Sequence, residues 1–422
     1  MRRGVSEKHM NISPMMLYDE KGSCTGCTAC ESICAKGAVA MRPDTEGFLY
    51  PVVDTQSCSG CGLCISVCPI HAEPKRANTP MDCFAAKHTD EKIRLTSTSG
   101  GVFTALSDEI LSRNGIVYGA AYTQAFDVVH SRASSKEQRD AFKGSKYVQS
   151  DLRGIFKQVK KDLQDVKSVL FSGTGCQIAG LNAYLGKLAE MPTFFTCEIL
   201  CHAAPSPLMW KEHVRLLETK KKGRLVCYNS RSKAAGWHAH NEQSLFENGK
   251  SDYRSKLTQN HKDLFYSHYI IRPACFACKY VGKNRVGDLT IGDFWGIELC
   301  LPDFDDNKGI SMMMVNSAKG KELLDAVSGS LHLRASTYED ALRVNHGRPA
   351  RKNPRREMFW QDYYSHGYLY VVKRYAGYSL HGRLLYYIKR IARCFINKIF
   401  LYRITYRSKS TTKQGAYNFR II

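Results

Sequence analysis

The chain has 422 residues, 43% hydrophobic and 24% charged, a composition typical of a soluble globular protein with two or three domains. Its formal net charge of +22 is concentrated at one end, because residues 371–422 contain twelve Lys or Arg and no Asp or Glu. No apolar run approaches the ~18 residues of a membrane span, and residues 1–18, interpreted as an N-terminal extension, lack a signal-peptide core. These features exclude a membrane-spanning protein and predict a cytoplasmic one.

Two copies of one cysteine pattern, 34 positions apart, follow the extension: Cys24-x2-Cys27-x2-Cys30-x3-Cys34 and Cys58-x2-Cys61-x2-Cys64-x3-Cys68-Pro69. In such a pattern three thiolates from one loop hold one iron–sulfur cube, and the fourth binds the other cube. The predicted ligands of one 4Fe–4S cluster are Cys24, Cys27, Cys30 and Cys68. Those of the other are Cys58, Cys61, Cys64 and Cys34. The pattern resembles bacterial two-cluster ferredoxins, with Ala35 where a proline is usual.

Zinc and disulfides are the alternatives for these eight cysteines. Zinc sites use cysteine pairs that are separated by a longer spacer, and disulfides need an oxidising compartment. The spacing therefore favours iron–sulfur clusters.

The remaining chain divides by its patterns. Residues 19–80 form the two-cluster module, whose fold depends on metal, and residues 71–82 are predicted to be a linker. From 84 to 345, helices are predicted at 99–114, 154–165, from 177, at 207–222 and at 318–328, and strands at 115–122, 168–172, 192–200, 286–293 and 310–315. We therefore expect an α+β protein: a ferredoxin-like module, a mixed α/β catalytic domain and a basic helical tail at 346–422.

The tail has an amphipathic stretch in which apolar residues recur every three or four positions, at Leu384, Ile388, Ile391, Phe395 and Ile399. Such a basic helix is typical of one that lies on an anionic membrane surface, which would place the protein at the inner face of the membrane. The alternative is that the apolar face packs on the domain or on a partner protein. Nucleic acid is a weaker option because no binding motif accompanies the charge.

Four stretches carry the chemistry of the catalytic domain: STSGGVFTAL (97–106), FSGTGCQIAGL (171–181), CHAAPSP (201–207) and CFACKYVGKNRVGDLTIGDFWG (275–296). Behind a two-cluster ferredoxin, this series resembles the beta-subunit family of deazaflavin-dependent hydrogenases and dehydrogenases, over about residues 20–345. The resemblance implies a flavin, with FAD favoured over FMN, and a cluster within the catalytic domain. It also implies a redox partner such as ferredoxin or a dehydrogenase subunit.

Four cysteines suit a third 4Fe–4S cluster. Cys275 and Cys278 have metal-clip spacing, and Cys176 and Cys201 each end a strand-like run, where loops gather into sites. A structural zinc site is the alternative for this set, and Cys197 is an alternative ligand to Cys201.

Two glycine-containing loops are candidates for binding the flavin phosphates. Ser99, Gly100 and Gly101 precede a helix, and Gly173, Thr174 and Gly175 follow an apolar strand, so backbone N–H groups would face an anion. The sequence departs from the family here, since the usual Gly-Thr-Pro-Cys has Gly175 before Cys176, and the usual Cys-His-Gly has Ala203.

Polar residues between these loops are candidates for catalysis and cofactor contacts. Lys146 could offset the negative charge of a reduced flavin or its phosphates, and His202 could donate a proton or a hydrogen bond. Asp293 could bind a ribose or the flavin edge. The alternatives are a solvated lysine, a structural histidine and a turn-capping aspartate. Trp237 could stack on a ring system or pack in the core.

The sequence thus predicts an iron–sulfur flavoprotein oxidoreductase that passes electrons between a one-electron partner and a two-electron organic substrate, whose identity it does not specify. The second hypothesis is a non-catalytic electron-transfer subunit that serves a partner enzyme. The third is a membrane-surface or nucleic-acid binding protein with purely structural clusters.

Overall fold

The computed structural model describes residues 17–71, 82–283, 285–344 and 347–392. Its strands are β1 Val39–Pro43, β2 Leu49–Val53, β3 Asp82–His88, β4 Ile116–Tyr122, β5 Val128–Ala133, β6 Val169–Thr174, β7 Phe194–Ile199, β8 Leu225–Ser232, β9 Asn241–Phe246, β10 Ser251–Tyr253, β11 Leu289–Asp293, β12 Ser311–Val315 and β13 Leu331–Ser336. Its α-helices are α1 Ala29–Ile33, α2 Leu63–Ser66, α3 Glu91–Thr96, α4 Val102–Ser112, α5 Lys136–Asp140, α6 Ile155–Gln164, α7 Gly175–Leu185, α8 Pro207–Lys221, α9 Lys256–Tyr266, α10 Ile297–Cys300, α11 Ala318–Val327, α12 Tyr338–Leu342, α13 Arg356–His366 and α14 Tyr368–Tyr375. None of the helices in these ranges is long and apolar enough to cross a membrane.

The cysteine module repeats its backbone as well as its sequence. The residues before α1 and α2, Thr28 and Gly62, are both left-handed, with φ of 68° and 72°, and lie 34 positions apart. Gly26 and Gly60, two residues earlier in each copy, share φ values of 72° and 70°. Left-handed residues turn the chain tightly enough for one loop to present several cysteines to one point. The antiparallel pair β1–β2 closes the module.

The body of the protein is built on an eight-stranded mixed sheet with the order β13-β3-β12-β11-β7-β6-β4-β5. Its centre is parallel, since β4, β6, β7 and β11 pair in parallel register. The strand β6 begins with the fully buried run Val169, Leu170 and Phe171, as expected of a parallel strand covered on both faces. This mixed α/β architecture confirms the predicted fold class.

A second, three-stranded antiparallel sheet, β10-β9-β8, packs with α8 and α9 beside the main sheet. Residues 341–360 were expected to be looped because they are rich in Arg, but α13 begins at Arg356. Phe359 and Trp360 of α13 and Val372 of α14 are buried against α8 and α9. These aromatic anchors place the first part of the predicted tail within the core.

The amphipathic helix of the tail is present at residues 380–392, and Leu384, Ile388 and Ile391 are exposed on it. Phe395 and Ile399, which continue the predicted pattern, lie outside the described residues, as do most of the N-terminal extension and of the predicted linker.

Candidate functional site

Four module cysteines form an inner group, the proximal set: Cys24, Cys27, Cys30 and Cys68. They line one small cavity of about 20 Å³. Burial raises the pKa of Cys27 to about 12, and Cys24, Cys68 and Cys176 raise it further. Four buried thiols that hinder one another's ionisation require a positively charged metal centre to be held as thiolates.

The other four module cysteines form an outer group, the distal set: Cys34, Cys58, Cys61 and Cys64. Burial raises the pKa of Cys64, and Cys34 and Cys58 contribute to the same shift. Cys61 is exposed, whereas the proximal Cys24, Cys27 and Cys30 are buried. The structure therefore brings the eight cysteines together in the two sets expected from their spacing, one set at the surface and one inside.

The proximal set lies directly against the catalytic body, because α1 packs on α7. Gly180 on α7 has no side chain to keep Cys27 away: a Cβ there would lie 2.7 Å from the Cys27 Sγ. Such close backbone approach is a use that only glycine serves.

The third group of cysteines lies on the other side of this contact, and we call it the inner-domain set: Cys176, Cys201, Cys275 and Cys278. Burial raises the pKa of Cys201 well above its usual value, followed by the charges of Cys275, Cys176 and Cys278. Cys176 is in the first turn of α7, which Thr174 and Gln177 close with a capping box. The alternative ligand Cys197 is instead fully buried in the apolar core with Phe195 and Leu289.

A cavity of about 320 Å³ adjoins the inner-domain set, and Cys176 and Cys201 line it. The same cavity is lined by most of the predicted cofactor and catalytic residues: Ser99, Gly101, Lys146, Gly173, Thr174, His202 and Asp293. Gly100 and Gly175 lie behind its wall, where a Cβ would meet the Ala86 carbonyl oxygen at 2.1 Å and the Glu198 carboxylate at 2.8 Å, respectively.

The first turns of α4 and α7 both face this cavity. Both are eleven-residue helices, and no side chain caps the N-terminus of α4. Free N–H groups and the positive end of the helix dipole suit a phosphate, and two such ends at one cavity suit a diphosphate. The aromatic rings of Tyr147, Phe265, Tyr266 and Trp295 also line the cavity and suit a planar ring system. The residues present therefore fit a flavin nucleotide.

Lys146 is half-buried at the cavity wall. Its Nζ donates to the carbonyl oxygens of Ala141, Lys143 and Gly144 at 2.9, 3.0 and 3.2 Å. Burial lowers the pKa of Lys146 to about 7, whereas three carbonyl oxygens favour the ammonium form. This lysine is thus a positioned charge rather than a solvated one.

Asp293 closes the opposite end of the cavity through two strong contacts. Its carboxylate pairs with Arg231 at 2.7 Å and accepts from the Trp237 indole at 2.8 Å. Trp237 is buried and stacks on Trp295 with ring centroids 4.6 Å apart, and the Arg231 guanidinium lies over the Trp295 ring. Trp237 therefore packs in the core and supports the cavity wall instead of lining it.

His202 contacts a second histidine. Its Nε2 lies 2.8 Å from the Nε2 of His268, whose Nδ1 donates to the Arg351 carbonyl oxygen at 2.7 Å. A neutral His268 that donates from Nδ1 accepts at Nε2, so His202 donates its Nε2 proton to His268.

Several residues of the site escaped prediction. His130 lies in the cavity wall, with its Nδ1 and Nε2 bonded to Ser150 and the Ser172 carbonyl, and burial lowers its pKa to about 4. Gln149 and Arg272 also bridge the module and the body. No local pattern marks these residues, since their partners are distant in sequence.

The module with its two cysteine sets and the mixed sheet with its cavity define an iron–sulfur electron-transfer protein of the oxidoreductase type. Residues 166–341 match the family model for the C terminus of the beta subunit of coenzyme F(420) hydrogenase/dehydrogenase, and residues 23–72 match that of the 4Fe-4S dicluster domain. The chain thus carries this beta-subunit domain behind a dicluster domain, which confirms the family resemblance.

Other comparisons add little. No curated protein matches the chain. Among solved structures, a chain of the F(420)-reducing NiFe hydrogenase complex from Methanosarcina barkeri aligns at 17% identity over 62% of this chain and 84% of that chain, with a TM-score of 0.42.

Proposed function

We propose that the protein is an iron–sulfur flavoprotein oxidoreductase that passes electrons between a one-electron partner and a two-electron organic substrate. One observation carries this proposal: the three cysteine sets form a continuous series that ends at the cavity. Cys27 of the proximal set feels the charge of Cys176 of the inner-domain set, and Cys176 lines the cavity itself. A series from the exposed Cys61 to an enclosed cavity is the layout expected of a route for electrons.

A bound flavin would supply the exchange between single electrons and electron pairs. The chain's own residues would hold and orient it. The first turns of α4 and α7 would bind its phosphates, the aromatic wall would pack on its ring system, and Lys146 would place a positive charge beside it. His202 would hold a proton at the cavity wall, where His268 fixes its ring orientation.

A non-catalytic electron-transfer subunit is the second candidate. A relay needs clusters close together but no space for a substrate. The cavity of about 320 Å³, which is lined by aromatic rings and by two helix N-termini, favours the enzyme.

The partner and the tail complete the proposal. A one-electron redox protein, such as a ferredoxin or a dehydrogenase subunit, would dock on the face that exposes Cys61. The helix at 380–392 would lie on an anionic membrane surface, since its exposed apolar residues stand among Arg383, Lys389 and Arg390.

The test is the cofactor content of protein purified without oxygen. We expect about twelve irons per chain, from three four-iron clusters, with about one flavin. Iron without flavin would support the relay instead. About eight irons with zinc would show that the inner-domain set is a zinc site, and redox-silent metal would contradict both redox functions.

A further inference from the structure

Arg272 occupies an unusual position at the joint between the module and the body. It is 1% exposed, and its guanidinium lies 4.2 Å from the centre of the Tyr50 ring. Its Nε donates to the Cys24 carbonyl oxygen at 2.8 Å, and its Nη2 lies 3.7 Å from the Cys24 Sγ. A third donor, Nη1, contacts Gln149 Oε1 at 3.0 Å.

The charge of Arg272 lacks the partner that other buried arginines have. Each of the other five arginines that are buried in the described ranges forms an ion pair with a carboxylate: Arg94 with Asp306, Arg139 with Asp108, Arg231 with Asp293, Arg285 with Glu198 and Arg356 with Glu46. In the part of the chain that the structure describes, no carboxylate forms an ion pair with Arg272. A buried charge is costly unless an opposite charge compensates it.

The groups around Arg272 are cysteines of two different sets. It contacts Cys24 of the proximal set directly. Burial raises the pKa of Cys176 and Cys275 of the inner-domain set, and the charge of Arg272 offsets part of that rise in each. The guanidinium therefore lies between the inner cluster of the module and the cysteines at the cavity.

We propose that Arg272 is a positioning residue that serves as the buried counter-ion of the proximal 4Fe–4S cluster and raises its reduction potential. Four thiolates give such a cluster a net negative charge, and reduction adds one electron without forming or breaking a bond. A fixed positive charge and a hydrogen bond to a ligand sulfur stabilise the reduced state more than the oxidised one. The inference uses the dicluster domain and does not require the flavin.

The test is a potentiometric titration of the anaerobic holoprotein, with dithionite as reductant and electron paramagnetic resonance as the readout. A Cys61→Ser variant assigns the signal of the distal cluster. We expect Arg272→Gln to shift the proximal cluster to a lower potential, and Arg272→Lys, which keeps the charge but not the fork of donors, to shift it less. The distal potential should stay unchanged in both variants.

A second variant leaves Arg272 in place. Gln149→Glu puts a carboxylate at the atom that accepts from Nη1, so it should neutralise the guanidinium and also lower the proximal potential. This variant keeps the test valid if Arg272→Gln fails to fold.

The control separates the charge from the mechanical joint. Arg356 also ties the module to the body, through Glu46 at 2.9 Å, but it is compensated there. The double variant Arg356→Gln with Glu46→Gln should leave the proximal potential unchanged. An unchanged proximal potential in both Arg272→Gln and Gln149→Glu, or an equal shift in the Arg356 control, would overturn the proposal.

Discussion

Two buried cysteines of the central sheet show how a single position decides between ligand and filler. Cys176 follows β6 and opens α7, where burial raises its pKa but the Thr174 hydroxyl, the charge of Arg272 and the backbone N–H groups of the first turn favour its thiolate. Cys197 lies within β7, and burial raises its pKa to about 12 among apolar neighbours. A thiol of the second kind behaves as a small hydrophobic side chain.

This contrast gives a prediction about iron content. We expect Cys176→Ala to lose about four irons per chain, because a four-iron cluster rarely survives without one of its thiolates, and to keep the iron of the module. Cys197→Ala should keep all of its iron and lose only some thermal stability. Iron analysis of the two anaerobic proteins checks this, and equal iron in both would remove Cys176 from the ligands.

Residues within a local motif could be predicted from the sequence, and residues joined only by folding could not. The cysteines of the module are three or four positions apart, so their spacing reveals their chemistry. Arg272 contacts Cys24 across 248 positions, and His130 contacts Ser172 across 42. Nothing near either residue signals that contact.

At the scale of elements, periodic helices and apolar strands could be predicted to within a few residues. The helix expected at 207–222 is α8, Pro207–Lys221, and the strand expected at 168–172 is β6, Val169–Thr174. The helices α13 and α14 were missed because their charged residues hide the aromatic positions that pack. The strands β8 to β10 are short and half-exposed, and they lack the apolar runs on which prediction depends.

The packing of α8 on α9 buries a pair of histidines, His213 and His261, with ring centroids 5.7 Å apart. Burial lowers the pKa of His213 to about 3 and that of His261 well below its usual value, and His213 contributes to the latter shift. In the unfolded chain both rings take up a proton near pH 6.5, whereas in the folded chain they stay neutral. The unfolded state therefore binds more protons below pH 6.5.

The free energy of unfolding should consequently fall as the pH falls from about 6.5 toward 4, by roughly 1.4 kcal/mol per pH unit for each histidine. His213→Gln should flatten this slope relative to the unsubstituted protein, and His332→Gln, at an exposed histidine, should not. Chemical denaturation between pH 6.5 and 5.5 measures the slopes. The same slope in all three proteins would be inconsistent with a neutral buried pair.

Over the whole molecule, charge and exposed apolar surface coincide at the helix of residues 380–392. Leu384 is 60% exposed and Ile388 is 51% exposed. We expect the full chain to bind vesicles of mixed phosphatidylserine and phosphatidylcholine, to bind pure phosphatidylcholine much less, and to dissociate as salt rises.

A paired substitution tests whether this helix is responsible. Leu384→Glu with Ile388→Glu should reduce vesicle binding at least tenfold, because it removes apolar contacts and adds negative charge. Leu299→Glu, at a leucine of α10 that is 59% exposed, is the control and should bind as before. Sedimentation with vesicles gives the bound fraction, and equal loss in both variants would exclude a specific role for the helix.

The contact between Gly180 and Cys27 also constrains how the holoprotein is made. Once α1 rests on α7, the proximal thiols are covered on the side of the body, and a scaffold protein that delivers a preformed cluster could no longer reach them there. Maturation would then follow a fixed order, in which the inner cluster of the module is inserted before the module closes on the sheet domain, while the distal cluster can be inserted or repaired afterwards.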